Sequence, residues 1–111
     1  MYKMDFTQFL AEVVGTFIFL LVIINMVFRK STDSLVTAAS IPLFIGLGLC
    51  VSIYITLGLG GFAHLNPVVS GVCCANGSVP FSDMITLILA QVVGGSLAYL
   101  LWYSMGRKGV L

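Results

Sequence analysis

The stretch Ala63-His64-Leu65-Asn66-Pro67-Val68-Val69-Ser70 places the start of a helix inside an almost uncharged sequence of membrane-spanning length. Asn is an accepted N-cap, and Pro is favoured at the first helical position because its missing N–H would have had no partner there. A helix that begins at membrane depth has unpaired backbone N–H groups at its tip, and lipid cannot satisfy them. The tip must therefore face protein or a polar path, and the simplest polar path through a membrane is a pore.

Charge placement supports membrane depth. Of the 111 residues, 59% are hydrophobic and 8% charged, against about 25% charged in soluble domains. Apart from Glu12 and Asp83, the charges collect at Lys3 and Asp5, at Arg29, Lys30 and Asp33, and at Arg107 and Lys108. Between them, residues 8–28, 38–59 and 84–105 each reach the roughly 20 residues a spanning helix needs. An all-α, multi-pass integral membrane protein is expected, read as one domain over residues 1–111. Glu12 interrupts the first apolar run and no small-x-small cleavage site follows, so that run reads as a retained span. Cys50, Cys73 and Cys74 lie in apolar segments and the last two are poorly placed to bridge each other, so no disulfide is expected. A net charge of +1 without a long basic cluster argues against nucleic acid. One His, scattered cysteines and no carboxylate pair assemble neither a metal site nor a catalytic centre, so neither enzyme activity nor a cofactor is expected.

Arg29-Lys30-Ser31-Thr32-Asp33-Ser34 reads as a short polar connection between the first two spans. The second span dissolves into Gly58, Gly60 and Gly61, which permit the chain to leave helical geometry. The apolar run from Pro67 to about residue 75 is only about 14 Å of helix at 1.5 Å per residue, so it reaches halfway across and returns. Asn76-Gly77-Ser78-Val79-Pro80 makes a polar turn, with Ser82 or Asp83 expected to cap the third span. The architecture is three transmembrane helices plus one re-entrant half-helix. Three helices are few to shield re-entrant backbone, so an oligomer is expected. Ala90, Gly94 and Ala98, and Ala11 and Gly15, form small-residue stripes that serve either packing within the chain or contact with a partner subunit.

These residues resemble the aquaporin and glycerol-facilitator superfamily. Ala11-Glu12-Val13-Val14-Gly15-Thr16 resembles the opening of that family's first span. Gly46-Leu47-Gly48 with Ile53-Tyr54 is similar to its second. Ala63-His64-Leu65-Asn66-Pro67 resembles its signature box, and Ala90-Gln91-Val92-Val93-Gly94-Gly95 its third span. Full-length members consist of two inverted repeats of three spans and a half-helix, and the chain resembles the first repeat alone. The first block is also similar to small multidrug resistance transporters, but the His-Leu-Asn-Pro box followed by Ala-Gln-x-x-Gly has no counterpart there. Departures are Val68 where the family usually has Ala, an extra Phe62, Ile45 near the position of an aromatic filter residue, and Val69 where the second repeat carries its filter arginine.

The resemblance implies pore-lining roles for Asn66, Pro67, Val68, Ile45 and His64, and bracing of the re-entrant loop by Glu12 and Gln91. Asn66 would donate to a passing oxygen while the half-helix dipole opposes cations. Each residue also has a plainer reading: Asn66 a structural cap, His64 a packing residue rather than a gate or pH sensor, Gln91 a loop support. Glu12 costs about 2.5 to 3.5 kcal/mol inside a membrane and so requires a partner or a function. The expected function is a passive pore for water or small neutral solutes such as glycerol, formed with a second inverted half. That half is either another copy, as an inverted dimer or a multiple of it, or a different half-protein. The alternatives are a proton-coupled small multidrug-type transporter centred on Glu12, and a non-transporting interaction protein or truncated relic. Orientation is contested. The motifs put the N-terminus in the cytoplasm, whereas Arg29, Lys30, Arg107 and Lys108 outweigh Lys3 and put the opposite side there.

Overall fold

The computed structural model describes residues 4–28 and 35–105. The connection 29–34 and the basic residues Lys3, Arg29, Lys30, Arg107 and Lys108 that bear on orientation lie outside those residues. Four helices are present among the described residues: α1 (Phe6–Val27), α2 (Leu35–Gly58), α3 (Pro67–Ala75) and α4 (Phe81–Ser104). The three long ones are apolar enough to cross a membrane, and their 22 to 24 residues give about 33 to 36 Å against a hydrocarbon core of about 30 Å. α3, with nine residues, covers less than half of it.

The helix bounds follow from local chemistry. α1 begins two residues before the sequence-based span because Asp5 and Gln8 form a capping box. Asp5 Oδ1 accepts from Gln8 N at 2.9 Å, and Gln8 Oε1 accepts from Asp5 N at 2.8 Å. α4 begins at Phe81, directly after Pro80, which occupies the cap position with extended backbone and no side-chain cap bond. The expectation of a cap at Ser82 or Asp83 is therefore incorrect. Proline's fixed φ sets the chain up to turn into a helix at the next residue, which leaves Asp83 inside the first turn, where a negative charge suits the positive end of the helix dipole.

α1 lies between α2 and α4, and α3 packs on α4. The small-residue stripes explain this arrangement. Ala90, Gly94 and Ala98 are all buried, and a Cβ at Gly94 would run into the Val13 carbonyl oxygen and lie 3.1 Å from Phe17 N. α1 and α4 therefore meet backbone to backbone. On the other side of α1, a Cβ at Gly15 would strike Thr56 Oγ1 of α2 and come within 2.7 Å of Leu65 Cδ2. Both stripes are consumed within the chain, in line with packing between its own helices, the first of the two readings given for them. Ser52 and Thr56, fully buried on α2, return their hydroxyls to the carbonyls of Gly48 and Ser52 at 2.7 Å, so neither brings an unpaired donor into the seam. Beyond Gly94 the α1–α4 seam is filled by Ile24, Ala98 and Trp102, with Phe17, Leu20 and Leu21 against them. The outer face of α2 is different: Leu43, Phe44, Leu47, Val51 and Tyr54 are exposed, as suits a surface that meets hydrocarbon.

Candidate functional site

The site is built around the start of α3. Asn66 is its N-cap in extended geometry, and the side-chain Oδ1 accepts from Val68 N at 2.8 Å. Pro67 occupies the first turn and has no N–H to satisfy. With Oδ1 committed to the cap, no bond among the described residues engages the Asn66 amide nitrogen. Capping and donating are thus compatible: the cap fixes the amide plane, and the remaining NH2 group is offered from an exposed residue.

The loop that delivers this tip is strained. Ala63 and Leu65 have φ of 62° and 58°, left-handed conformations that cost L-residues about 1–2 kcal/mol each. The structure answers that cost with a buried clamp. Leu65 N donates to Glu12 Oε1, and the Glu12 side chain is 0% exposed. Gln91 Nε2 donates to the same oxygen at 3.3 Å and to Ser70 Oγ at 2.9 Å. A carboxylate only accepts, which settles which end of the Gln91 amide faces it. Ser70 Oγ in turn lies 2.9 Å from His64 Nδ1. With Gln91 donating to the hydroxyl, its own proton is available to Nδ1, which corresponds to the Nε2–H tautomer of the ring. The His64 ring sits 5.4 Å from that of Phe62. One polar chain therefore links α1, the loop, α3 and α4.

Of the residues singled out in the sequence, Glu12, His64, Asn66, Pro67, Val68 and Gln91 come together at this tip. Val68 is 69% exposed beside Asn66. Ile45 is half-buried on α2, three residues before Gly48, and takes no part in the hydrogen-bonded cluster. Two members were missed. Ser70 is the only hydroxyl of an otherwise apolar half-helix and falls one turn after its cap, a signal the sequence did offer. Thr16, one turn after Glu12, lines the cluster from α1, and the spacing Glu12-x-x-x-Thr16 on a buried face was its signal. Four buried side-chain oxygens have no hydrogen-bond partner among the described residues: Asp83 Oδ2 in the first turn of α4, and Glu12 Oε2, Thr16 Oγ1 and Gln91 Oε1. An open groove of about 640 Å³ continues from the tip, where Leu65, Pro67, Thr16 and Gln91 line it, along α4 to Tyr99 and Leu100. Among the described residues no group of three or more His, Cys, Asp or Glu is close enough to hold a metal ion, and Cys50, Cys73 and Cys74 are free thiols.

Comparison with known proteins follows this geometry. Residues 2–109 match the family described as Major intrinsic protein. The chain is 31% identical over 96 residues to Aquaporin NIP1-1 of Arabidopsis thaliana, covering 82% of this chain and 31% of that protein. It is 27% identical over 95 residues to Aquaglyceroporin-3 of Trypanosoma brucei brucei, covering 86% and 31%. It is 33% identical over 91 residues to Glycerol uptake facilitator protein-like 6 of Lactiplantibacillus plantarum, covering 82% and 40%. The chain thus spans between 31% and 40% of the length of these curated relatives. No solved structure matches it. With the match running over nearly its whole length, three apolar helices and a half-helix entered through an Asn-Pro start, the chain belongs to the major intrinsic protein family and is an integral membrane protein with half of an aquaporin-like fold.

Proposed function

We propose that the chain is a subunit of a passive channel for water or small neutral solutes such as glycerol, conducting once a second, inverted half completes the pore. The observation that carries this reading is the divided use of Asn66, whose oxygen is spent on the cap of a helix that starts inside the membrane span while its NH2 group is left to donate. A solute oxygen passing the tip accepts from that group. The N-terminal end of α3, equivalent to about half a positive charge, opposes cations at the same point. Glu12, Gln91 and Ser70 hold the tip still, so the donor does not have to reorganise for each molecule. The family match and the names of the relatives, which speak of water channels and glycerol uptake, support the same class of solute. They do not favour the drug-transporter role for Glu12, and the buried, bracing contacts of that carboxyl support the structural one.

A pore made from two such halves carries no filter arginine at the position of Val69, so it is expected to discriminate poorly among small neutral molecules and to leak protons. The test is flux through liposomes holding the purified chain alone, followed by light scattering after osmotic shock with water and then glycerol. Flux well above empty liposomes that Asn66→Ala weakens is expected. Folded protein that gives no flux, or flux indifferent to Asn66→Ala, would sink the channel reading for the isolated chain.

A further inference from the structure

The turn after the half-helix holds a motif that the pore does not use. Of Asn25, Asn66 and Asn76, only Asn76 is followed at the second position by a hydroxyl residue with no proline between, in Asn76-Gly77-Ser78. Asn-x-Ser is the acceptor pattern for an N-linked oligosaccharide, which is added where the chain lies at a surface. All three residues are exposed. Asn76 closes α3, and Gly77 turns the chain with φ of 86°, a left-handed conformation that glycine adopts without steric cost. The Asn76 side chain is divided much as that of Asn66 is. Its Oδ1 accepts from Ser78 N at 3.0 Å and from Ser78 Oγ at 2.6 Å, and no bond among the described residues engages Nδ2. The hydroxyl that the motif requires thus lies against the amide whose nitrogen is left over.

Depth and side both suit this reaction. α4, with 24 residues, is about 36 Å long against a hydrocarbon core of about 30 Å. The turn that precedes Phe81 therefore lies at the headgroups or beyond them, not among acyl chains. Side follows from charge, which membrane insertion reads directly. Arg29, Lys30, Arg107 and Lys108 flank one side of the three spans, and Lys3 flanks the other, where Asn76 also lies. The larger basic group belongs in the cytoplasm, which puts the Asn76 turn on the opposite face.

We propose that Asn76 is an N-glycosylation site on the non-cytoplasmic face of the membrane. The donor is an oligosaccharide carried on a lipid pyrophosphate. Asn76 Nδ2 forms a bond to the anomeric carbon of the first sugar, and the bond from that carbon to the pyrophosphate oxygen breaks. Lipid pyrophosphate leaves with the electron pair, and one Nδ2 proton passes to a base of the transferase. A bulky, hydrophilic group at this point anchors the turn on its own side of the membrane. It stands at the far end of α3 from the Asn66 amide, so it fixes orientation without touching the tip.

The test is synthesis of the full chain with rough microsomes, whose own lipid-linked oligosaccharide and transferase serve as the probe. The membrane-integrated fraction is then run on a gel with and without endoglycosidase. A slower band that endoglycosidase returns to the position of the unmodified chain is expected, lost in Asn76→Gln and in Ser78→Ala and kept in Ser78→Thr, which retains the hydroxyl. Integrated chain without the slower band would overturn the proposal, and so would a slower band that persists in Asn76→Gln. A variant with a run of Gly and Ser inserted between Val79 and Pro80 separates the two ways of failing. Modification of that variant alone would put the turn on the expected side but too close to the membrane for transfer, and modification of neither would put it in the cytoplasm.

Discussion

Two helix starts in this chain use the same device with opposite outcomes. At α1, Asp5 accepts from Gln8 N and Gln8 reaches back to Asp5 N, so both side chains are consumed by the cap, in a setting exposed to solvent. At α3, Asn66 accepts from Val68 N and nothing reaches back. Its neighbour Pro67 removes one donor outright, and the amide NH2 remains. The first start is saturated and carries a charge. The second is neutral and deliberately incomplete, held by a clamp of Glu12, Gln91 and Ser70 drawn from three helices. Capping uses both side chains at the first start and leaves one donor over at the second, which is the group the proposed pore role needs.

The largest expected effect comes from removing the clamp while leaving the cap. Glu12→Leu leaves the buried Leu65 N–H unpaired and Gln91 held by Ser70 alone, a loss of about 2 kcal/mol from the unsatisfied group and the weakened link, read as a lowered unfolding midpoint in detergent. Stability equal to the parent would show that the two helix starts need no different support. Next, Asn66→Asp retains the cap oxygen and replaces the donor with an acceptor. Helix content is expected to stay unchanged while water flux falls roughly tenfold, or about 1.4 kcal/mol in barrier. Flux preserved in that variant would reduce Asn66 to a cap like Asp5. Ser70→Ala removes the link between Gln91 and His64 and is expected to cost about 1 kcal/mol, measured as the same midpoint shift. Smallest is Asp5→Ala, which loses up to about 1 kcal/mol of helix capping and leaves flux per folded molecule unchanged. A flux defect there would erase the contrast.

Much of this fold could be read from residue types. The Asn-Pro start, the glycines before it and the polar turn after it gave α3 its bounds, because each acts on the backbone within one or two residues. The ends of the long helices were less legible. Apolar run length starts the first span at Gln8, yet Gln8 is the third helical residue and the reciprocal partner of Asp5 in a capping box, and Pro80 precedes α4 without the polar cap expected after it. Four-residue spacing located the stripes on α1 and α4, yet spacing cannot say whether the surface they meet belongs to the same chain. That depends on Gly94 facing Val13 across a tertiary contact. The cluster of Glu12, Gln91, Ser70 and His64 joins residues up to 79 positions apart, so the family resemblance pointed to Glu12 and Gln91 while the lone hydroxyl of α3 went unassigned.

The origin of the clamp also sets an order of events. Gln91 belongs to α4, which follows α3 in the chain, whereas Glu12, the acceptor for Leu65 N, precedes both. A chain ending before Gln91 keeps the Glu12–Leu65 contact but lacks the two bonds by which Gln91 ties Glu12 to Ser70, so the half-helix is expected to gain its full support only once Phe81–Ser104 has packed on α1.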